Sequence, residues 1–251
     1  MTQSKTWSGK VALITGGSRG IGRAIAEAMG RRGAKVAISY RSRREEAEEV
    51  VDRIRGVGGE AVAFAADLTT SKQADALVGA VYEYFGSIEI LVNNAGITQD
   101  GLLTHMTDEM WEAVLAADLS SAFYCTRTVV RGMMRQRFGR IVQVGSVTGV
   151  IGNAGQSNYA AAKGGLISFS KAVAREVAHR GVTVNVVAPG YVETELTLTL
   201  SERVRTRAAG WVPMHRFATV QEVASAVCFF ADPLQSYITG QVLCVDGGIA
   251  M

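Results

Sequence analysis

Tyr159 and Lys163 stand four residues apart in the run Tyr-Ala-Ala-Ala-Lys, and Ser146 lies thirteen positions before the tyrosine. On a helix this spacing puts both side chains on one face, about 6 Å apart along the axis. A tyrosine hydroxyl ordinarily titrates at about 10, too high for easy proton exchange at neutral pH, and a neighbouring ammonium favours its phenolate. The pair is therefore suited to giving a proton to a developing alkoxide. A serine hydroxyl at the end of a strand can donate to a carbonyl oxygen that is gaining negative charge. None of the three histidines, His105, His179 and His215, fits a Ser-His-Asp hydrolase, and Ser146 lacks the Gly-x-Ser-x-Gly elbow.

A dinucleotide cradle near the N-terminus gives these groups a partner. The segment Thr15-Gly16-Gly17-Ser18-Arg19-Gly20-Ile21-Gly22 follows a first apolar run and opens a first helical pattern. Glycines there let the backbone turn sharply and bring a pyrophosphate to the helix N-terminus, where free N–H groups and the helix dipole favour negative charge. The spacing is Gly-x-x-x-Gly-x-Gly, and a plain tight turn would also explain glycines taken alone. Their place between strand and helix points to cofactor binding by Gly16, Gly17, Ser18, Arg19, Gly20 and Ile21.

An NAD-binding unit usually ends its second strand on an acidic residue that holds the ribose hydroxyls. Here the strand ends Ser39-Tyr40-Arg41. Arg41 cannot accept from a hydroxyl, but with Arg19 it can grip a 2′-phosphate, which predicts NADPH over NADH. Asp67 and Leu68, after the third strand, offer an acceptor and an N–H to the adenine. Asn94, Ala95 and Gly96, after the fourth, are small enough to leave room for the cofactor. Glycine turn, tyrosine, lysine and serine together describe hydride transfer to a carbonyl.

Seven runs rich in aliphatic and β-branched residues read as strands: 11–15, 35–39, 61–65, 88–93, 140–145, 183–188 and 241–245. Helical patterns begin between them near Ile21, Arg44, Ser71, Thr107, Ser157 and Thr219. The alternation predicts an α/β fold, a doubly wound parallel seven-stranded sheet of the Rossmann type in a single domain spanning 1–251. The strands are continuously apolar, as expected when helices cover both faces. The charge run at 41–49 reads as a solvated helix start with Arg44 and Glu48 at i,i+4 spacing.

Composition narrows the field. With 251 residues, 48% of them hydrophobic, the chain can bury one large core. Its net charge is only +3, with the arginines scattered, so nucleic acid is not an expected partner. Cys125, Cys228 and Cys244 have no metal-ligand spacing and read as buried packing residues; no metal is expected. The stretch 1–10 lacks the apolar core of a signal peptide, and no later run is long enough to span a membrane. The expected location is the cytoplasm.

The set Thr15 to Gly22, Asn93 to Gly96, Ser146, Tyr159-x-x-x-Lys163 and Pro189-Gly190 resembles the short-chain dehydrogenase/reductase family over nearly the whole length. Within that family, 152–163, 184–190 and 237–241 look most like reductases of 3-oxoacyl groups on acyl carrier protein. The resemblance implies a homotetramer that uses NADPH to reduce a 3-oxoacyl thioester to the 3-hydroxyacyl thioester, in fatty acid or polyketide synthesis. It also implies that Tyr159 donates the proton, Ser146 orients the ketone, and Lys163 binds the nicotinamide ribose. Pro189, Gly190, Val192 and Thr194 would meet the nicotinamide carboxamide and the phosphates. Arg137 and Arg180 would receive the acidic carrier protein.

Asp118 departs from the family pattern, which has asparagine at this catalytic position to hold a water. Aspartate brings a negative charge toward Lys163 and cannot donate as an amide does, so a shifted pH optimum or reduced turnover is expected. Residues 191–215, with the charged stretch 195–211 at their centre, are expected to form a lid over the substrate. Two other functions fit the same residues. One is a reductase or dehydrogenase of a free alcohol or ketone, such as an acyl-CoA, sugar or steroid. The other is a non-catalytic NADPH-binding partner protein, for which Asp118 is the hint.

Overall fold

The seven apolar runs form seven strands: β1 Val11–Ile14, β2 Lys35–Tyr40, β3 Glu60–Ala65, β4 Ile90–Asn93, β5 Gly139–Val144, β6 Val182–Pro189 and β7 Val242–Val245. A computed structural model describes residues 7–199 and 201–251, so residues 1–6 of the N-terminal stretch read above lie outside the described residues. The strands make one sheet in the order β3-β2-β1-β4-β5-β6-β7, every pairing parallel. This is the doubly wound arrangement expected from the alternation of patterns. Chain order reverses between β1 and β4, and a crevice opens there beyond the carboxyl ends of the strands.

Each strand feeds two cores, because successive side chains point to opposite faces. Ala12, Ile14, Val36, Ile38, Ile90 and Val92 pack with α1 (Gly20–Arg31), α2 (Arg44–Gly56) and α10 (Val220–Ala231). Val11, Leu13, Ala37, Leu91 and Ile141 pack with α3 (Ser71–Phe85), α5 (Ser121–Gln136) and α7 (Ser157–Val177). The inner strands β1, β4, β5 and β6 are buried throughout, whereas the edge strands β3 and β7 are only partly covered. For that reason Cys244, on β7, is half-buried rather than buried as expected, while Cys125 and Cys228 lie in the core. Burial pushes the Cys125 thiol up to about 12 and the Cys228 thiol up to about 11.

In the charge run, the ion pair forms between Arg43 and Glu46 at 2.7 Å, not between Arg44 and Glu48, because Arg43 sits at the N-cap of α2 and reaches the next turn. The helical pattern from Thr107 is not one regular helix. It comprises α4 (Asp108–Leu115), a π turn over Ala116–Ser120, and α5. No helix among the described residues is long and apolar enough to cross a membrane.

Candidate active site

The crevice is a cleft of about 660 Å³ that runs from the glycine turn, past the ends of β2 and β3, to the start of α7. Its inner wall is set by Thr15. That hydroxyl accepts from Asn94 N (2.9 Å) and Ala95 N (3.0 Å), while Asn94 Nδ2 donates to the carbonyls of Thr15 (2.9 Å) and Gly16 (3.0 Å). The glycine turn is thus stitched to the end of β4. Gly16 takes a left-handed φ of +64°, and Arg19 stands at the N-cap of α1 with no side chain capping the helix, so the first N–H groups remain for a ligand.

Gly17 is the one member of the expected cofactor set that does not line the cleft. Its α-carbon faces β2, where a side-chain carbon would come within 2.6 Å of Ile38 Cβ. The absence of a side chain here is required by strand packing. Ser18, Arg19, Gly20, Ile21, Arg41, Asp67, Leu68, Asn94, Ala95 and Gly96 all line the cleft, as do Pro189, Gly190, Val192 and Thr194 on the other side.

Three arginines line the cleft, Arg41 and Arg43 after β2 and Arg19 at the N-cap of α1. Arg19 pairs with Glu195 at 3.3 Å and Arg43 with Glu46 at 2.7 Å, while Arg41 makes no ion pair among the described residues. Hydrogen bonds from the backbone and hydroxyl of Thr69 hold the Asp67 carboxyl below its ordinary value, with the Arg41 charge adding to the effect against slight desolvation. The Asp67 N–H is already taken by Gln73 at 2.8 Å, so it is not free to meet a ligand. Small residues, an open helix N-terminus and an unpaired arginine fit a dinucleotide carrying an extra phosphate.

The far end of the cleft gathers Ser146, Tyr159, Lys163 and Asp118. Ser146 follows β5 in the turn to α6 (Thr148–Ile151), and its hydroxyl accepts from Thr148 N at 3.1 Å. The same turn packs on α7, since a side-chain carbon at Gly149 would meet the Lys163 backbone at 2.7 Å. Lys163 Nζ donates to Val144 O at 3.0 Å, two residues before Ser146, and lies 5.5 Å from the centre of the Tyr159 ring. Asn158, fully buried, fixes the start of α7 by donating to the carbonyls of Gln99 (3.0 Å) and Met110 (3.2 Å).

Asp118 is delivered to this group by the π turn, whose extra residue rotates the carboxylate inward; such turns recur at functional sites. Its Oδ1 accepts from Ile97 N at 2.8 Å, and Oδ2 lies 3.1 Å from Lys163 Nζ with no other polar partner. Both side chains are buried, 5% exposed for Lys163 and 0% for Asp118. Gly96 allows the approach, because a side-chain carbon there would lie 2.5 Å from Asp118 Oδ2. Burial works against the Lys163 cation, but the Asp118 charge and hydrogen bond, with Tyr159, raise its pKa above the ordinary value. Burial also raises the Asp118 carboxyl, partly offset by Lys163 and the Ile97 N–H.

Arg137 and Arg180 are not part of this gathering. Arg137 caps the C-terminus of α5 with φ +54° just before β5, and Arg180 ends a short 3₁₀ turn just before β6. The two segments adjoin, since a side-chain carbon at Gly181 would meet Arg137 O at 2.6 Å. They flank the amino ends of the strands, whereas Ser146 follows the carboxyl end of β5, one strand length or about 20 Å away. The expected lid region contains α8 (Glu195–Leu198) and α9 (Glu202–Gly210), and Tyr191, Val192, Thr194, Glu195 and Thr197 line the cleft.

Several contributors were not singled out from sequence. Thr15 belongs to the glycine-turn motif but its two-amide grip depends on the end of β4, and Asn158 has only its place beside Tyr159 as a signal. Arg43 was hidden in a run read as solvated. Glu195 became visible only when the fold brought it to Arg19.

The pairing of a parallel doubly wound sheet with this tyrosine, lysine and serine beside a glycine-turn cleft defines a nucleotide-dependent oxidoreductase architecture. A family model described as Enoyl-(Acyl carrier protein) reductase matches residues 16–250. The 3-oxoacyl-[acyl-carrier-protein] reductase FabG of Vibrio cholerae is 49% identical over 243 residues, 97% of this chain and 98% of the relative. The protein of that name from Escherichia coli K12 is 47% identical over 245 residues, covering 98% and 99%, and a Synechocystis 3-oxoacyl-[acyl-carrier-protein] reductase is 45% identical over 243 residues, covering 96% and 97%. The chain belongs to the short-chain dehydrogenase/reductase family, whose members work with a nicotinamide cofactor.

Proposed function

We propose that this protein reduces a 3-oxoacyl thioester carried on acyl carrier protein to the 3-hydroxyacyl thioester in fatty acid biosynthesis, with NADPH as reductant. The observation that carries this reading is the single cleft joining an arginine-rich nucleotide end to a serine, tyrosine and buried lysine at the other. Relatives named as 3-oxoacyl carrier-protein reductases, at 45–49% identity over nearly the full chain, support the substrate class.

The cofactor, when bound, supplies the hydride for the ketone carbon. The Ser146 hydroxyl donates to the ketone oxygen and holds it beside Tyr159. The Tyr159 hydroxyl gives its proton to that oxygen as negative charge gathers on it, completing the alcohol. Lys163, kept cationic by Asp118, stabilises the phenolate left behind and binds the nicotinamide ribose. Asp118 fixes the lysine by direct pairing, where the family's asparagine would hold a water. Because the carboxylate answers part of the lysine's charge, the field reaching Tyr159 is weaker than from an unpaired ammonium.

Arg41 and Arg19 take the 2′-phosphate, Asp67 and Leu68 the adenine, the glycine turn the pyrophosphate, and Pro189, Gly190, Val192 and Thr194 the nicotinamide end. Residues 191–215 form the substrate lid. Arg137 and Arg180 receive the acidic carrier, and the chain assembles as a homotetramer. The compartment is a reducing cytoplasm, in keeping with three free thiols.

The test is NADPH oxidation by purified protein offered an acetoacetyl thioester on carrier protein and on a small thiol, with NADH in parallel and a crotonyl thioester as a ketone-free control. The proposal requires oxidation of NADPH with the acetoacetyl compounds, faster on the carrier. Activity confined to crotonyl thioester would assign carbon–carbon double-bond reduction instead. Equal rates on carrier and thiol would favour a free ketone as substrate. Silence with measurable NADPH binding would favour a non-catalytic role.

A further inference from the structure

Arg19, expected to meet a 2′-phosphate, already has an anion. Its Nη1 lies 3.3 Å from Oε2 of Glu195, the first residue of α8. The pair bridges two walls of the cleft, the glycine turn and the base of the lid. The walls are close here, for a side-chain carbon at Gly20 would stand 3.7 Å from Thr194 Cγ2. Glu46, on the other flank, is paired with Arg43 and also feels the Arg19 charge. Of the three cleft arginines, then, Arg41 is free to meet a phosphate, while Arg19 must part from Glu195 first.

We infer that Glu195 is a positioning residue for cofactor selection: it competes with the cofactor's 2′-phosphate for Arg19 and so limits how strongly the cleft prefers NADPH to NADH. This rests on the NADPH reading above. A phosphate carries about −1.5 to −2 charges at neutral pH and three acceptor oxygens, so it outbids a carboxylate for a guanidinium. Ribose hydroxyls carry no charge and do not displace Glu195, so NADH leaves the pair intact. The cost of parting falls on NADPH alone. The side chains are 48% and 57% exposed, which keeps that cost small.

The test is direct binding, read by the fluorescence of NADPH and of NADH titrated onto wild type, Glu195→Gln, Arg19→Gln and the double variant at low ionic strength. Glu195→Gln is expected to tighten NADPH about two- to fivefold, the range an exposed pair sustains, and to leave NADH unchanged. In the Arg19→Gln background the same substitution is expected to do nothing. Equal changes for both cofactors, or weaker NADPH binding, would overturn the inference. So would tightening of NADPH that persists without Arg19, since Glu195 would then act on the phosphate through space. Wild-type protein that binds NADH as tightly as NADPH would overturn the cofactor reading itself, and this inference with it.

Discussion

At the floor of the cleft, Lys163 and Asp118 are 5% and 0% exposed, and each is held by a backbone partner as well as by the other. In the segment 191–215, by contrast, α9 buries no side chain, Trp211 just beyond it is 73% exposed, and of two half-exposed ion pairs one, Arg19–Glu195, reaches the glycine turn while the other, Arg205–Glu193, lies within the segment. Buried charges are costly unless paired, so the ion pair and its two backbone hydrogen bonds restrict how the floor can be arranged. Exposed pairs contribute little, so these two add little to what holds the segment in place. Chemistry needs fixed geometry and entry of a substrate needs movement, and under the function proposed above the floor serves the first and residues 191–215, as the proposed lid, the second.

Substitutions in the floor should therefore have large effects, and those in the lid small ones. Tyr159→Phe is expected to lower turnover by about 10² to 10⁴ while NADPH binding stays near wild type, as stopped-flow reduction and cofactor titration would show. Near-normal turnover would remove the proton donor from the floor.

Asp118→Ala should cost about 3 to 5 kcal/mol in denaturant unfolding, because it strands a buried ammonium. Asp118→Asn keeps an acceptor and tests pH instead. Asp118 raises the Lys163 pKa above its ordinary value. The stabilisation this gives is full below about 10.5 and fades only as pH climbs through the higher folded value. In Asp118→Asn the alkaline limb of the pH-rate profile should accordingly move to lower pH. An unmoved limb would mean that the pairing has no kinetic consequence.

At the nucleotide end, Arg41→Ala should reduce the ratio of NADPH to NADH efficiency by about ten- to a hundredfold, the worth of a charged hydrogen bond. Smallest of all, Trp211→Ala at the end of α9 should change unfolding free energy by no more than about 0.5 kcal/mol. A loss of several kcal/mol there would show that the lid is anchored after all.

The same contrast governs what could be read from sequence. Strands buried on both faces announce themselves as apolar runs, and even the partly covered edge strands β3 and β7 are apolar enough that all seven match their runs within two residues. The glycine turn and the Tyr159–Lys163 spacing were legible because each is local. The π turn at 116–120 was not, since its residue pattern continues the helix on either side and only hydrogen-bond register distinguishes it. Pairings between distant segments were also beyond local pattern: Glu195 with Arg19, and Thr15 with the amides after β4. The placement of Arg137 was open to inspection, for a residue just before β5 must sit at the end of the sheet away from Ser146. The resemblance supplied its role without its location.

The most direct test of the whole account is the mass of a carrier-bound acetoacetyl thioester before and after incubation with the protein and NADPH. A gain of two hydrogens on the acyl group is expected, matched one for one by NADPH oxidised, with the 3-hydroxyacyl thioester as product. An acyl group of unchanged mass in the presence of bound NADPH would contradict it.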